Sequence, residues 1–298
     1  MKSIIFILPY FGVWPFWMKY FLSSCAANPT INWLVYSDNE SLPFDAPNVE
    51  LRVTSLHDYT DNASRVLGVS IPADRPYKLC DLKPMYGFIH KEDITDYDYW
   101  GFCDLDIIWG DLRQFLTSDL LELDLISAHR TRISGHCCLL KNTQKMREAF
   151  KHYLDWKNIC SSNENHRFDE SAFSRLFIKH KKLPNKLRNF LSFLNTIDAK
   201  CFFIERYSTP NCRTPWIDGS TNYPTEWYWS NGTLTNNASE NNFMYFHFLH
   251  WKQEYWKSDY NKGDGHLRAG AGLSEVPDAD LGSAWKIDKE GFKPINCT

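Results

Sequence analysis

Apolar residues along the chain fall into short runs divided by polar, Gly- and Pro-bearing breaks. "SIIFILPYFG" at 3–12 is a β-branched run closed by Pro9 and Gly12, and it predicts a buried strand over Ser3–Leu8. "WPFWMKYFLSSCAAN" then spaces its large apolar residues as a helix would and stops at Asn28-Pro29. "INWLVYSDN" predicts a second strand ending in a polar loop at Asp38, and "VELRVTSL" a third. Strand, helix and strand at this pitch predict βαβ units and a mostly parallel sheet. In such sheets ligands sit beyond the carboxyl ends of the strands, where Tyr10, Phe11 and Asp38 would lie.

Residues 55–95 read as mostly helical, with "KLCDLKPMYGFIH" the clearest stretch. "YDYWGFCDLD", "LDLISAHR" and "GHCCLLKN" predict three more strands. "TQKMREAFKHYLDWKNIC" reads as one amphipathic helix, and "FDESAFSRLFIKH" as another with Asp169 and Glu170 in its first turn, where acidic residues suit the helix dipole. "AKCFFIER" and "NNFMYFHFLHWK" complete the strands, and glycines clustered at 263–272 predict an irregular tail. No repeat or linker interrupts the pattern. The expectation is an α/β fold: one Rossmann-like domain over 1–298, with a central, mostly parallel mixed sheet flanked by helices.

Composition narrows the function. The 298 residues are 43% hydrophobic, which suits a folded globular chain. The net charge of -3 lacks the basic face that nucleic acid demands. Aromatic residues reach 16%, enough either to fill a core or to stack on flat ligands. Nine cysteines, an odd number without a CxxC pair and partly set inside apolar runs, suit a reducing, cytoplasmic setting; the sequons at Asn62, Asn231 and Asn237 then count as chance. The N-terminal apolar stretch is broken by Pro9, Gly12, Pro15 and Lys19, so it reads as a strand rather than a leader or membrane span.

Three Asp-x-Asp triplets occur, at Asp96/Asp98, Asp104/Asp106 and Asp278/Asp280, so the triplet alone carries nothing. Asp104 and Asp106 differ in context: "YWGFC" precedes them and "IIWGDL" follows, both apolar. Unpaired carboxylates are costly to bury. Alternate residues of an extended chain point the same way, so this pair can converge on one cation, Mg2+ or Mn2+. The plainer alternative is a pair of turn or capping aspartates.

With "PYFG" at 9–12, "YSDN" at 36–39, "KLCDLKPMYG" at 78–87, "GFCDLDIIWGDL" at 101–112, "SGHCCLLKN" at 134–142 and "HFLHWK" at 247–252, the chain resembles glycosyltransferases of the GT-A fold. Within these it is similar to bacterial capsule and O-antigen biosynthesis enzymes. The resemblance implies a nucleotide-sugar half at about 1–112 and an acceptor half at about 113–298. It implies that Asp104 and Asp106 hold a Mn2+ or Mg2+ bridging the donor diphosphate. Pro9, Tyr10, Phe11 and Asp38 would hold the nucleoside, expected to be uridine, and Lys83 would approach the donor sugar or phosphate. His247 would complete the metal shell, with His250 as the alternate, and Lys252 would neutralise the departing diphosphate. The implied partners are a UDP-hexose, galactose or glucose, and a glycan or lipid-linked oligosaccharide acceptor, with peripheral membrane association.

An inverting enzyme needs a carboxylate to deprotonate the acceptor hydroxyl, and Asp169 and Glu170 are candidates; capping and dipole complementation are the alternative. His136 could contact the acceptor or be structural. Two other functions compete. A haloacid-dehalogenase-like phosphotransferase also follows a strand with Asp-x-Asp, but it usually has Thr or Val where this chain has Ile108. A non-catalytic carbohydrate-binding protein would explain the aromatic content and leave the aspartates unexplained.

Overall fold

The structure, a computed structural model, describes residues 1–129, 132–178, 183–191, 208–209, 216–220, 222–249, 251, 274–275, 281, 283–288 and 290–295. The six strands of its main sheet are β1 (Ile4–Pro9), β2 (Ile31–Ser37), β3 (Val49–Val53), β4 (Tyr99–Cys103), β6 (Leu125–Ser127) and β7 (Cys137–Lys141). Their order is β3-β2-β1-β4-β7-β6. The pairings from β3 through β4 are parallel, and β7 runs antiparallel to both its neighbours. This is the mixed, mostly parallel α/β sheet that the apolar runs predict.

Both faces of the sheet are covered. Along β1, Ile5 and Ile7 enter one apolar cluster, while Ile4, Phe6 and Leu8 enter another on the opposite side. The period of two thus yields a continuous apolar run rather than an alternating one, as a sheet buried on both sides requires. Helix α1 (Met18–Ala26) covers the second face and α2 (Leu56–Leu67) the first. Ser55 caps α2 by accepting from the Asp58 amide, and Gly68 ends it at φ 64°.

Three expected elements differ. The helix read across 143–160 is broken into Gln144–Arg147, a 3₁₀ turn at Ala149–His152, and Trp156–Ser161. Phe150 and Trp156 are both buried with ring centroids 5.0 Å apart. Six residues along an unbroken helix would turn them to different faces. The segment containing "KLCDLKP" is 3₁₀ over Pro76–Met85, and it contains Pro84, which lacks the amide an α-helix would use. The stretch after Phe168 begins as a π turn, Asp169–Phe173, before α geometry at Ser174–Phe177. There the Ser174 hydroxyl donates to the carbonyls of Asp169 and Glu170.

A second sheet was not expected. It contains β8 (Glu226–Ser230), β9 (Thr233–Asn236), β11 (Ser274–Glu275), β12 (Ala284–Asp288) and β13 (Gly291–Pro294), in the order β11-β13-β12-β8-β9. Asn231 and Gly232 turn β8 into β9, both at positive φ (46° and 85°), so this sequon is a hairpin turn. Trp227, Trp229, Trp285 and Phe292 from this sheet pack with Trp17 and Tyr20 of the first helical stretch. A two-stranded ladder joins β5 (Ile107–Trp109) to β10 (Tyr245–His247). The expected strand "AKCFFIER" and the glycine cluster at 263–272 lie outside the described residues. Among the described residues, no helix is long and apolar enough to cross a membrane.

Candidate metal centre

β4 ends at Cys103, and the chain bends through Asp104, Leu105 and Asp106 before β5. The aspartates therefore lie in a turn rather than on the extended strand expected, at the carboxyl edge of the parallel strands. The Asp104 amide donates to the His136 carbonyl at 3.0 Å, which fixes the start of the turn. Beyond it, β5 pairs with β10 so that His247 stands opposite Ile107, and the Phe248 amide donates to the Asp106 carbonyl at 3.1 Å. This pairing, across 140 residues of sequence, brings the imidazole to the carboxylates.

Ligand atoms of Asp104, Asp106 and His247 all lie within 4.8 Å of one another, an arrangement that could hold a metal ion. His247 is 2% exposed, with Nε2 3.4 Å from Asp106 Oδ2 and no hydrogen bond at that nitrogen. Its Nδ1 shares a hydrogen bond with Thr209 Oγ1 at 3.3 Å. Donation from Nδ1 leaves the Nε2 lone pair toward the carboxylates, the usual second-shell arrangement for a ligating imidazole. An orphaned buried nitrogen beside two carboxylates fits a divalent cation. His250, the alternate ligand, and Lys252 lie outside the described residues.

Lys83 enters from the 3₁₀ segment and is buried. Its Nζ donates to Asp104 Oδ1 (2.5 Å) and to the Gly135 carbonyl (2.8 Å). Burial alone would lower its pKa, but Asp104, Cys80 and Asp169 reverse that and hold it well above the ordinary value. Gly135 also donates its amide to Glu170 Oε1 at 3.3 Å. A Cβ on Gly135 would come within 2.5 Å of Asp169 Oδ2, so the carboxylate packs where only glycine fits. Burial pushes Asp169 up to about 7, with Lys83 opposing and Glu170 adding to the shift. Glu170 is more open and pairs with Arg132 at 3.4 Å.

The remaining expected residues divide. Pro9 ends β1, and the Tyr10 amide donates to the Tyr36 carbonyl, so both sit on the same edge of the sheet. The Tyr10 ring stacks on Trp14 (5.2 Å between centroids). Asp38 Oδ1 accepts the Gly12 amide at 2.8 Å and so holds the loop after β1. Phe11 turns inward instead: it is 6% exposed and packs on Tyr59, so it cannot offer its ring to a nucleoside. His136 is not open to an acceptor either. It is 3% exposed, stacks on the His247 ring at 4.2 Å and shares a hydrogen bond with the Tyr245 hydroxyl at 2.8 Å. It therefore supports His247 from behind.

Sequence reasoning passed over Thr209, Tyr245 and Gly135. Thr209 and Tyr245 carry no local signal, because their roles depend on long-range pairing. Gly135, beside His136 in "SGHCC", could have been read as a close backbone approach. A comparison with curated proteins finds none that matches the chain. Residues 6–267 match the model described as "Family of unknown function (DUF6625)", and over that length the chain belongs to this family.

Proposed function

We propose that the protein is a metal-dependent glycosyltransferase of the GT-A type, moving a hexose from a UDP-sugar to a bacterial surface-glycan acceptor. The observation that carries the reading is the convergence of Asp104, Asp106 and His247 at the carboxyl edge of the parallel strands, beside Lys83. Asp104, Asp106 and His247 would hold the cation. Its nitrogen donor favours Mn2+ over Mg2+, which prefers all-oxygen shells. When bound, the cation supplies positive charge to the diphosphate that leaves as the sugar is transferred.

In this reading, Lys83 adds a fixed positive charge on the same side, held by Asp104 and the Gly135 carbonyl. Asp169, with a pKa near neutrality, takes the proton of the acceptor hydroxyl. Glu170, paired with Arg132, lines the approach. Lysine and aspartate thus flank Gly135, one toward the leaving group and the other toward the nucleophile. The six described cysteines that are free thiols suit the cytoplasmic face of a membrane, where a lipid-linked acceptor would be met.

The test is release of UDP from a panel of UDP-hexoses with Mn2+ in the folded protein. The expected result is slow hydrolysis of one donor, abolished by chelator and reduced at least about a hundredfold in Asp106→Ala. Formation of a phospho-aspartate from a phosphate ester instead would favour the phosphotransferase alternative.

A further inference from the structure

Cys103 ends β4, Cys137 begins β7, and the two are direct partners across that antiparallel ladder. Two hydrogen bonds show what kind of partners they are. The Asn142 amide donates to the Asp98 carbonyl at 2.7 Å, and the Asp104 amide to the His136 carbonyl at 3.0 Å. Hydrogen-bonded pairs alternate along such a ladder, so Cys103 and Cys137, one step from Asp104 and His136, form a pair without hydrogen bonds between them. Partners of that kind approach to about 4.5 Å between Cα atoms, inside the span of about 4.4–6.8 Å that a disulfide bridges.

Opposed residues of a ladder point to the same side of the sheet. Cys103 and Cys137 accordingly share the apolar cluster on the α1 side, at 3% and 5% exposure, while Cys138 enters the cluster on the other face. Neither Cys103 nor Cys137 is in a disulfide here. Cys137 also borders a cavity, with Ala128, Leu139 and Tyr245. The cavity gives its sulfur room to turn and a small oxidant a place to meet it. Burial pushes the Cys103 thiol well above its ordinary value, so Cys137 is the sulfur that reacts first, and slowly.

The pair sits one residue from the metal centre on each strand. Cys103 precedes Asp104, and Cys137 follows His136, whose ring stacks on His247 at 4.2 Å. A disulfide draws its two Cβ atoms to about 3.8 Å, closer than the roughly 4.5–5.5 Å at which opposed Cβ atoms stand in a ladder. The neighbouring rung, Asp104 with His136, has to give. Strained disulfides of this sort are the readily reduced, regulatory class, and in a reducing compartment such bonds are transient.

We propose that Cys103 and Cys137 are a modification site, a cross-strand dithiol that a peroxide converts to a disulfide and that loosens the metal centre when it closes. The Cys137 sulfur attacks the peroxide, the O–O bond breaks, and a sulfenic acid and water (or an alcohol) result. The Cys103 thiol then attacks that sulfur; the S–S bond forms, the S–O bond breaks, and the hydroxide leaves as water with the Cys103 proton. Two thiols lose two electrons and the peroxide gains them; a dithiol reductant reverses the change by exchange. The effect on the metal rests on the metal-centre reading, whereas the dithiol itself rests only on the ladder.

The full chain is treated with hydrogen peroxide, freed of oxidant, alkylated and mapped by mass spectrometry. Mn2+ is titrated by paramagnetic resonance before oxidation, after it, and again after dithiothreitol. The expected result is a peptide pair joined through Cys103 and Cys137, Mn2+ bound about tenfold more weakly by the oxidised chain, and recovery on reduction. Cys137→Ala should lose this response to peroxide and Cys138→Ala, on the opposite face, should keep it; the map of the wild type needs neither variant to fold. Separate alkylation of Cys103 and Cys137 after peroxide, a bond from either to Cys25, or a Cys103–Cys137 bond that leaves Mn2+ affinity unchanged overturns the proposal. A Cys103–Cys137 bond in a chain whose reduced form binds no Mn2+ defeats the metal-centre reading and leaves the dithiol standing.

Discussion

His247 is held on both sides: Thr209 engages Nδ1, and His136 stacks against the ring while it shares a hydrogen bond with Tyr245. Supporting residues of this kind typically tune metal affinity about ten- to a hundredfold. His136→Phe should keep the stack, lose the bond to Tyr245 and weaken Mn2+ binding about tenfold, with His247→Ala weakening it further; Mn2+ paramagnetic resonance titration measures both. Asp169 gives a pH signature. Its pKa is raised from 3.8 to about 7, so its carboxyl holds the proton more tightly in the folded protein. The associated stability is fully present below about pH 4 and is lost as pH rises through 7, a change of roughly 4 kcal/mol. Asp169→Asn should therefore melt higher than wild type at pH 8 and equally at pH 4. The same substitution should remove the acid limb near pH 7 from kcat/KM, which Glu170→Gln should leave in place. The convergence of Asp104 and Asp106 was legible as a candidate, because carboxylates at the end of an apolar run defy burial. The choice of His247 was not, because it depends on which residue of β10 faces β5. Phe11 misled because a strand-end aromatic can turn to either side, and the Tyr59 ring that captures it is 48 residues away.

Among elements, the β8–β9 hairpin braces β5, the strand that pairs with the one bearing His247. Trp229 of β8 donates from Nε1 to the Trp109 carbonyl at 2.9 Å, and Trp109 lies in β5, the partner of the strand that bears His247. Gly232 turns the hairpin at φ 85°, where a β-branched side chain is strained. Gly232→Val should cost about 1–2 kcal/mol in chemical unfolding while leaving Mn2+ affinity within about twofold, since the turn does not touch the site. An Asn-Gly pair between "EWYWS" and "TLTN" is a strong local hairpin signal, so this turn was legible although the expected fold omitted it. The broken helix at 143–160 was not: its apolar spacing is helical, and only the packing of Phe150 against Trp156 reveals the break. The π turn at Asp169–Phe173 likewise arises from a back-bonding serine, a choice the spacing does not encode.

For the whole molecule, the alternation of strand and helix was sufficient for the parallel sheet, since both βαβ pitch and two-sided burial are local properties of the chain. The second sheet was harder to foresee, because its strands are short and its β8–β12 pairing spans more than fifty residues. It also settles what the aromatic content is for. Ten of the eleven described tryptophans are buried, so most of these rings build the core and few remain for stacking on a ligand. That weakens a purely carbohydrate-binding reading and leaves the Asp104–Asp106–His247 edge as the candidate site. The central claim is that this edge joins a cation to a nucleotide diphosphate. The most direct measurement is the affinity of UDP by calorimetry, with Mn2+ and with chelator, in wild type and in Asp106→Ala. The account predicts UDP binding at least about tenfold tighter with Mn2+, a gain lost in the variant while its fold is retained. Equal UDP affinity with and without the metal, or no UDP binding by the folded wild-type protein, would contradict it.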